Sequence, residues 1–243
     1  MESSTGQAGA DSGGFDFLPL EAWVRIQTKS KHGHHYRTAD EACQGYTQTQ
    51  QEVLELWHGK VVRAGDVVLD IGCGNGRTAL FAQSLPISRF IGIDPLKPSI
   101  KFCRKAFRSD PRFTFEHIDL HNPQYNPRGR VRPESFTLDL ASTSVDVVLC
   151  FSLFTHLENE ATADRYMSEI RRVLKPGGRL FASWFRSPPN SLSTSAFRTV
   201  YQESTIRPMY SGFEILTERG GQTTDMNDQW CLIAERKSTN QAS

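Results

Sequence analysis

The residues with chemical potential concentrate in one short stretch, Asp70-Ile71-Gly72-Cys73-Gly74-Asn75-Gly76. An apolar run, Val67-Val68-Leu69, leads into a carboxylate, and three glycines follow at alternate positions. Glycine lets the backbone approach a ligand with no Cβ in the way. A carboxylate just ahead of such a turn suits an ammonium group. Alone, the stretch admits a dinucleotide site, another nucleotide-like site or a structural turn. Two further acids narrow the choice. Asp94, about 20 residues past the glycines, is placed to accept two ribose hydroxyls. Asp119, in "HIDL", sits where a carboxylate accepts from an exocyclic adenine amine while Ile118 or Leu120 covers the ring. The loop lacks the GK[ST] signature of a phosphate cradle, and Asp70 would repel a pyrophosphate. The pattern describes a nucleoside with ribose hydroxyls, an amine and a positive centre.

Such acids must be held at the ends of strands. From Asp66 onward the sequence alternates apolar strand runs with helical patterns. Strands are expected at "DVVLDIG", "RFIGID", "RFTFEHID", "VDVVLCFS" and "GRLFASWF". Helices are expected through "RTALFAQSL", "PSIKFCRKAF" and residues 158–174, the last stopped by "LKPGG", with a weaker one over 191–204. "FEILTERG" and "QWCLIAER" close the chain as an antiparallel pair. This order predicts an α/β fold with a doubly wound, Rossmann-like sheet of seven strands, mostly parallel, with an antiparallel C-terminal strand. Ligands in such sheets bind at the carboxyl ends of the strands. Residues 1–14 read as a disordered tail, 15–63 as an N-terminal helical lid, 64–237 as the main domain and 238–243 as a second tail. In the lid, "TQQEVLELWHGKVV" is expected to be helical, with Val53, Leu54, Leu56, Trp57, Val61 and Val62 on one face. Residues 120–144 make a long, polar, proline-rich connection of the kind that is either functional or disordered.

Bulk composition sets outer limits. The 243 residues carry 28 basic and 27 acidic side chains, a formal net charge of +1, so no basic field marks a nucleic-acid partner. The five cysteines are scattered without a CxxC pair, which argues against a disulfide framework or a zinc site and for a reducing compartment. The first residues lack a secretory pattern and no apolar run reaches membrane-spanning length, so a cytoplasmic protein without a membrane span is expected, as a monomer or homodimer.

Taken together, "VLDIGCGNGR", "FIGIDP", "HID", "SVDVVLCFSLFTHL" and "EIRRVLKPGGRLFASWF" resemble the ordered motifs of the class I S-adenosylmethionine-dependent methyltransferases. The resemblance covers residue 66 to about residue 236. "FEHIDLHNPQYNPRG" with "FSLFTHL" is similar to a bacterial subgroup linked to glycolipid sugars and secondary metabolites, whereas "PMYSGFEILTERGG" departs from it. The resemblance implies S-adenosylmethionine as cofactor and no metal. It assigns the methionine amine and carboxylate to Asp70 and to the backbone of Gly72, Gly74 and Gly76, with Cys73, Asn75 and Arg77 beside them. It gives Asp94 and Pro95 to the ribose, Asp119 and Leu120 to adenine, and Phe151 to the sulfonium end. The implied activity is methyl transfer to a small-molecule or lipid-linked acceptor, foremost the hydroxyl of a sugar, lipid or secondary metabolite. An N- or C-methyltransferase, a nicotinamide oxidoreductase and a non-catalytic partner subunit are the alternatives.

A hydroxyl acceptor calls for a general base. His156, following the fourth strand, is the candidate, because histidine as a residue type exchanges protons near neutral pH, with helix capping as its alternative role. His32, His34 and His35 of "KHGHHYR" are weaker candidates, and Tyr36 and Tyr46 are candidate lid residues. Asn122, Tyr125 and Asn126 are candidate acceptor contacts, and Trp184 and Phe185 are either pocket or core.

Overall fold

The computed structural model describes residues 38–186, 199–221 and 229–238. Its first helix, α1 (Ala39–His58), is fixed by a capping box. The Glu41 N–H donates to Thr38 Oγ1 at 3.2 Å, and the Thr38 N–H donates to Glu41 Oε2 at 3.4 Å. The helix therefore starts well before the expected "TQQEV" segment, and Thr38-x-x-Glu41 is the signal that reading missed. Val53 and Leu56 are buried as expected, but Leu54 is 39% exposed, because it falls on the outer side of the turn. Val61 and Val62 are buried beyond the helix, their N–H groups both folded back onto the Leu56 carbonyl.

The sheet follows. Its strands are β1 (Val67–Ile71), β2 (Arg89–Asp94), β3 (Phe113–His117), β4 (Val145–Cys150), β5 (Leu174–Trp184), β6 (Phe213–Arg219) and β7 (Trp230–Arg236). Their order in the sheet is β3-β2-β1-β4-β5-β7-β6. The first five run parallel, and β7 lies antiparallel between β5 and β6. The doubly wound, seven-stranded expectation is met. Crossovers are made by α2 (Arg77–Ala82), α3 (Lys97–Ala106) and α4 (Glu160–Val173), while α5 (Glu203–Met209) precedes β6. Chain direction through the sheet reverses between β1 and its neighbour β4, so the ligand crevice belongs at their carboxyl ends.

The central strands bury both faces, which is why their sequences read as unbroken apolar runs. Leu69, Ile71, Ile93, Val148 and Ala182 join Tyr166, Met167 and Ile170 of α4 in one core layer. Val68, Phe90, Val147, Leu149 and Phe181 join Val53 and Leu56 of α1 and Ile100 and Cys103 of α3 in the other.

Two expected boundaries move. The "LKPGG" segment, read as the stop between a helix and a strand at "GRLFASWF", belongs to β5, because Leu174 already pairs with Val145. The weaker helix over 191–204 lies mostly outside the described residues. Residues 199–202 are not helical, and α5 begins at Glu203. Trp184 is core: it is fully buried, stacked on Phe154 at 3.9 Å, and donates its indole N–H to Tyr210 Oη at 3.0 Å.

The long connection 120–144 is ordered. Leu120 bridges to Val131, and the Asn122 side-chain oxygen accepts the N–H groups of Gln124 and Tyr125. Its second half is clamped to α4. Phe136 stacks on Tyr166 at 3.8 Å, and the Leu138 N–H donates to Glu169 Oε2 at 2.9 Å. Arg172 donates to the carbonyls of Leu138 and Leu140, and Arg165 to that of Phe136. Gly129 is obligatory here, since a Cβ would lie 2.3 Å from the Leu120 carbonyl oxygen.

Candidate functional site

A cavity of about 700 Å3 opens at the carboxyl ends of β1, β2, β4 and β5. Asp70, near the end of β1, faces it and is 1% exposed. Thr78 hydrogen-bonds its carboxylate, yet Oδ2 has no hydrogen-bond partner. Burial, with the charge of Asp94 adding to it, pushes the carboxyl up to about 7. Asp94, the last residue of β2, is also buried and faces the cavity. Its Oδ2 accepts the Gly74 N–H at 2.9 Å and its Oδ1 accepts the Leu96 N–H at 2.7 Å. Burial outweighs those two donors and raises its carboxyl to about 6. A buried acid lacking a partner is costly. It is a ready counter-charge for a cationic ligand group.

The glycine loop makes its contribution in an unexpected way. The N–H groups of Gly72 and Cys73 donate to the Ile93 carbonyl, and that of Gly74 donates to Asp94. The loop is thus stapled to the end of β2, and what Gly74 offers a ligand is clearance: a Cβ there would meet nothing within 4 Å. Gly76 serves packing instead and does not line the cavity. It adopts φ 74° at the cap of α2, and a Cβ on it would lie 2.8 Å from the Phe107 ring. This corrects the expectation that all three glycines approach the ligand.

The structure brings Asp70, Gly72, Cys73, Gly74, Asn75, Arg77, Asp94, Pro95, Leu120 and Phe151 to one cavity, with His156, Asn122 and Tyr125 on its wall. Asp119 does not join them. Its Oδ2 accepts from Arg130 Nε at 2.6 Å and its Oδ1 from Asn126 Nδ2 at 3.3 Å, and the Arg130 guanidinium lowers its pKa. Its neighbours Ile118 and Leu120 line the cavity in its place, so the wall there is apolar. Asn126 is consumed by the same bonds and by the Leu120 carbonyl. Phe151 packs on Phe181 with ring centres 4.4 Å apart. His156 lies on a short 3-10 turn, its ring edge-on to Tyr125 at 5.4 Å and its carbonyl accepting from Asn122 Nδ2. His32, His34, His35, Tyr36 and the side chain of Tyr46 lie outside the described residues.

Sequence reasoning missed two groups. Glu41, Gly45, Gln48 and Glu52 line the cavity from α1 at spacings of three and four residues, with Gln44 beside them, a largely polar stripe on one helix face. Ser152, Ser183 and Gln229 line it from the ends of β4 and β5 and the start of β7. The strand-end rule, applied beyond the acids, would have found the serines. Among the described residues no group of His, Cys, Asp and Glu could hold a metal ion, and no helix is long and apolar enough to cross a membrane.

Residues 69–182 match the family model described as a methyltransferase domain. The seven-stranded sheet around them has the Rossmann-like fold of the class I S-adenosylmethionine-dependent methyltransferases. The domain is similar to the mRNA cap guanine-N(7) methyltransferase of Candida glabrata, 32% identical over 129 residues, which are 51% of this chain and 30% of that protein. It is also similar to the malonyl-[acyl-carrier protein] O-methyltransferase of Methylococcus capsulatus, 27% identical over 194 residues, 78% of this chain and 61% of that one. The chain thus spans less than two thirds of either relative. Among solved structures, magnesium protoporphyrin IX methyltransferase from Synechocystis PCC 6803 with bound S-adenosylmethionine shares the fold, with TM-score 0.57, 19% identity and coverage of 90% of this chain and 91% of that one.

The raised carboxyls of the methyltransferase domain have a measurable sign. In the folded state both Asp70 and Asp94 hold protons more tightly than an unfolded aspartate, whose usual value is 3.8. Their contribution to stability is full below that value and is lost as pH rises through about 6 and about 7. A ligand ammonium at Asp70 favours the ionised acid. S-adenosylhomocysteine is therefore expected to release protons on binding at pH 6 and few at pH 8. Calorimetry in buffers of different ionisation enthalpy measures this, and equal release at both pH values would remove Asp70 as the counter-charge.

Proposed function

We propose that this chain binds S-adenosylmethionine in the described cavity and that its activity is methylation of a hydroxyl on a small-molecule acceptor such as a sugar, lipid or secondary metabolite. The observation that carries the reading is the buried, unpartnered oxygen of Asp70 beside the Asp94-stapled glycine loop. Asp70 would hold the amino group, Asp94 the ribose hydroxyls, and Ile118 and Leu120 the faces of adenine. When bound, the cofactor supplies an electrophilic methyl whose leaving group is already activated. The protein's own task is then orientation and exclusion of water. Phe151 packed on Phe181 supports the latter by making the wall beside the glycine loop apolar.

His156 is the candidate base. It stands on the cavity wall, and Tyr125 and Asn122 fix its position from the facing loop. The relatives' printed acceptors include an mRNA cap and a malonyl group. The charge of the wall argues against a polyanionic acceptor here, because among the described residues Glu41, Glu52, Asp70, Asp94 and Glu158 line the cavity and Arg77 is the one arginine.

Calorimetry is expected to show micromolar binding of S-adenosylhomocysteine and none of NADH; the reverse result would sink the reading. A screen of alcohols with tritiated methyl donor then identifies an acceptor. On that acceptor His156→Ala is expected to lose about 100-fold or more in turnover and the acid limb of the pH profile. Unchanged turnover would remove His156 as base.

A further inference from the structure

Ser152, outside the cofactor residues, is the second residue past β4. It adopts φ 54°, in the left-handed region that side chains other than glycine rarely enter. Three bonds from neighbours hold it there. Its N–H donates to Ser183 Oγ at 2.8 Å, its carbonyl accepts the Thr155 hydroxyl at 2.6 Å, and its Oγ meets the Gln229 amide, 2.9 Å from Nε2 and 3.2 Å from Oε1. Ser183 and Thr155 are 3% and 1% exposed, so two buried hydroxyls are committed to one strained residue. Strain of this kind persists where the surroundings over-determine it, and it clusters at sites that hold ligands.

The bond to Gln229 goes further. Ser183 and Thr155 suffice to fix the backbone, whereas Gln229 touches only the serine side chain. A side-chain amide has two N–H groups and two acceptor positions, and Ser152 meets one of each, which leaves one N–H and one acceptor position. Both side chains line the cavity, and Ser152 stands between Phe151 and the short turn, Phe154–His156, that carries His156. We propose that Ser152 and Gln229 are the anchor for the acceptor, holding an uncharged hydrogen-bonding group, a hydroxyl or an amide, at the converging ends of β4, β5 and β7. The carboxylates of the wall set the complementary rule: an anionic group is rejected. The proposal rests on the methyltransferase reading for its purpose, but the anchor is a binding site in its own right and can be tested separately.

The probes are 1-butanol, butyramide, butylamine and butyrate, followed by saturation-transfer NMR on the full chain, both ligand-free and loaded with S-adenosylhomocysteine. Butanol and butyramide are expected to bind and butyrate is not. Ser152→Gly removes the hydroxyl while accepting the positive φ, so it is expected to fold at least as well as the parent. Gln229→Leu removes the amide. Each is expected to lower the butanol and butyramide signals about fivefold, the effect of one hydrogen bond of about 1 kcal/mol, with S-adenosylhomocysteine affinity within about twofold of the parent. Signals unchanged in both variants, no binding of either neutral probe, or butyrate bound as well as butanol would each overturn the anchor. So would a butylamine signal that survives Gln229→Leu and is lost in Glu52→Gln, since it would move the anchor to α1. Failure of the chain to bind S-adenosylhomocysteine counts against the methyltransferase reading alone, because the ligand-free arm still judges the anchor.

Discussion

Replacing Asp94 with alanine is expected to weaken S-adenosylhomocysteine binding by about 100-fold or more, the loss of two charge-assisted hydrogen bonds at about 1.5–3 kcal/mol each. The size follows from what the carboxylate does. It receives the Gly74 and Leu96 N–H groups and so closes the glycine loop and the entry to α3 around one point. Alanine removes the ribose acceptor and unstaples the loop together. Asparagine keeps one acceptor oxygen and sets an N–H against one of those two donors, so its loss is expected to be intermediate in affinity. Calorimetry on both variants, with circular dichroism to confirm the fold, gives the answer. Parent-like affinity in Asp94→Ala would refute both the ribose role and the cofactor assignment built on it.

The largest effect on stability is expected at the opposite end of the sheet. Arg179 Nη2 meets Asp66 Oδ2 at 3.0 Å, with the side chains 6% and 10% exposed, and Arg179 Nη1 donates to the Lys60 carbonyl. Asp66 also accepts the Arg63 N–H at 2.7 Å, so the pair joins the end of the α1 region to β1 and β5. Burial is the leading influence on both partners: it raises the Asp66 carboxyl and lowers the Arg179 guanidinium. Each partner offsets the cost of burying the other's charge. Asp66→Ala leaves a guanidinium buried without its counter-ion and is expected to cost about 3–5 kcal/mol in urea unfolding. The double change Asp66→Val with Arg179→Met is expected to recover most of that loss, because no unpaired charge then remains. Single variants within about 1 kcal/mol of the parent would contradict this account.

How much of this was legible beforehand depended on how local the signal was. The parallel strands declared themselves because a strand buried on both faces is an apolar run, and the glycine loop and Asp94 because their spacing has a backbone reason. Asp119 shows the limit. Its position at a strand end was legible, but the partner that removes it from the cavity, Arg130, comes from a loop closure that no periodicity encodes. Gly76 is similar: its place in the loop was plain, while the Phe107 ring that demands a glycine comes from the residue just past the end of α3. The α1 stripe was missed for a different reason. Its residues are polar, and a polar helical face facing a cavity looks in sequence like one facing water. Ser152, Ser183 and Gln229 converge from distant strands, and that convergence appears only when β7 inserts beside β5.

The clamp between α4 and the connection 120–144 has a thermodynamic consequence for whatever enters the cavity. Glu169, Arg165 and Arg172 hold the backbone of that connection through Leu138, Leu140 and Phe136. The wall bearing Pro133 and Phe136 is therefore ordered during folding, and its conformational entropy is spent before any ligand arrives. A bound acceptor need not supply that ordering from its own contacts. On this side the cavity is a preorganised surface, and selectivity there reflects the match between a ligand and a shape already made.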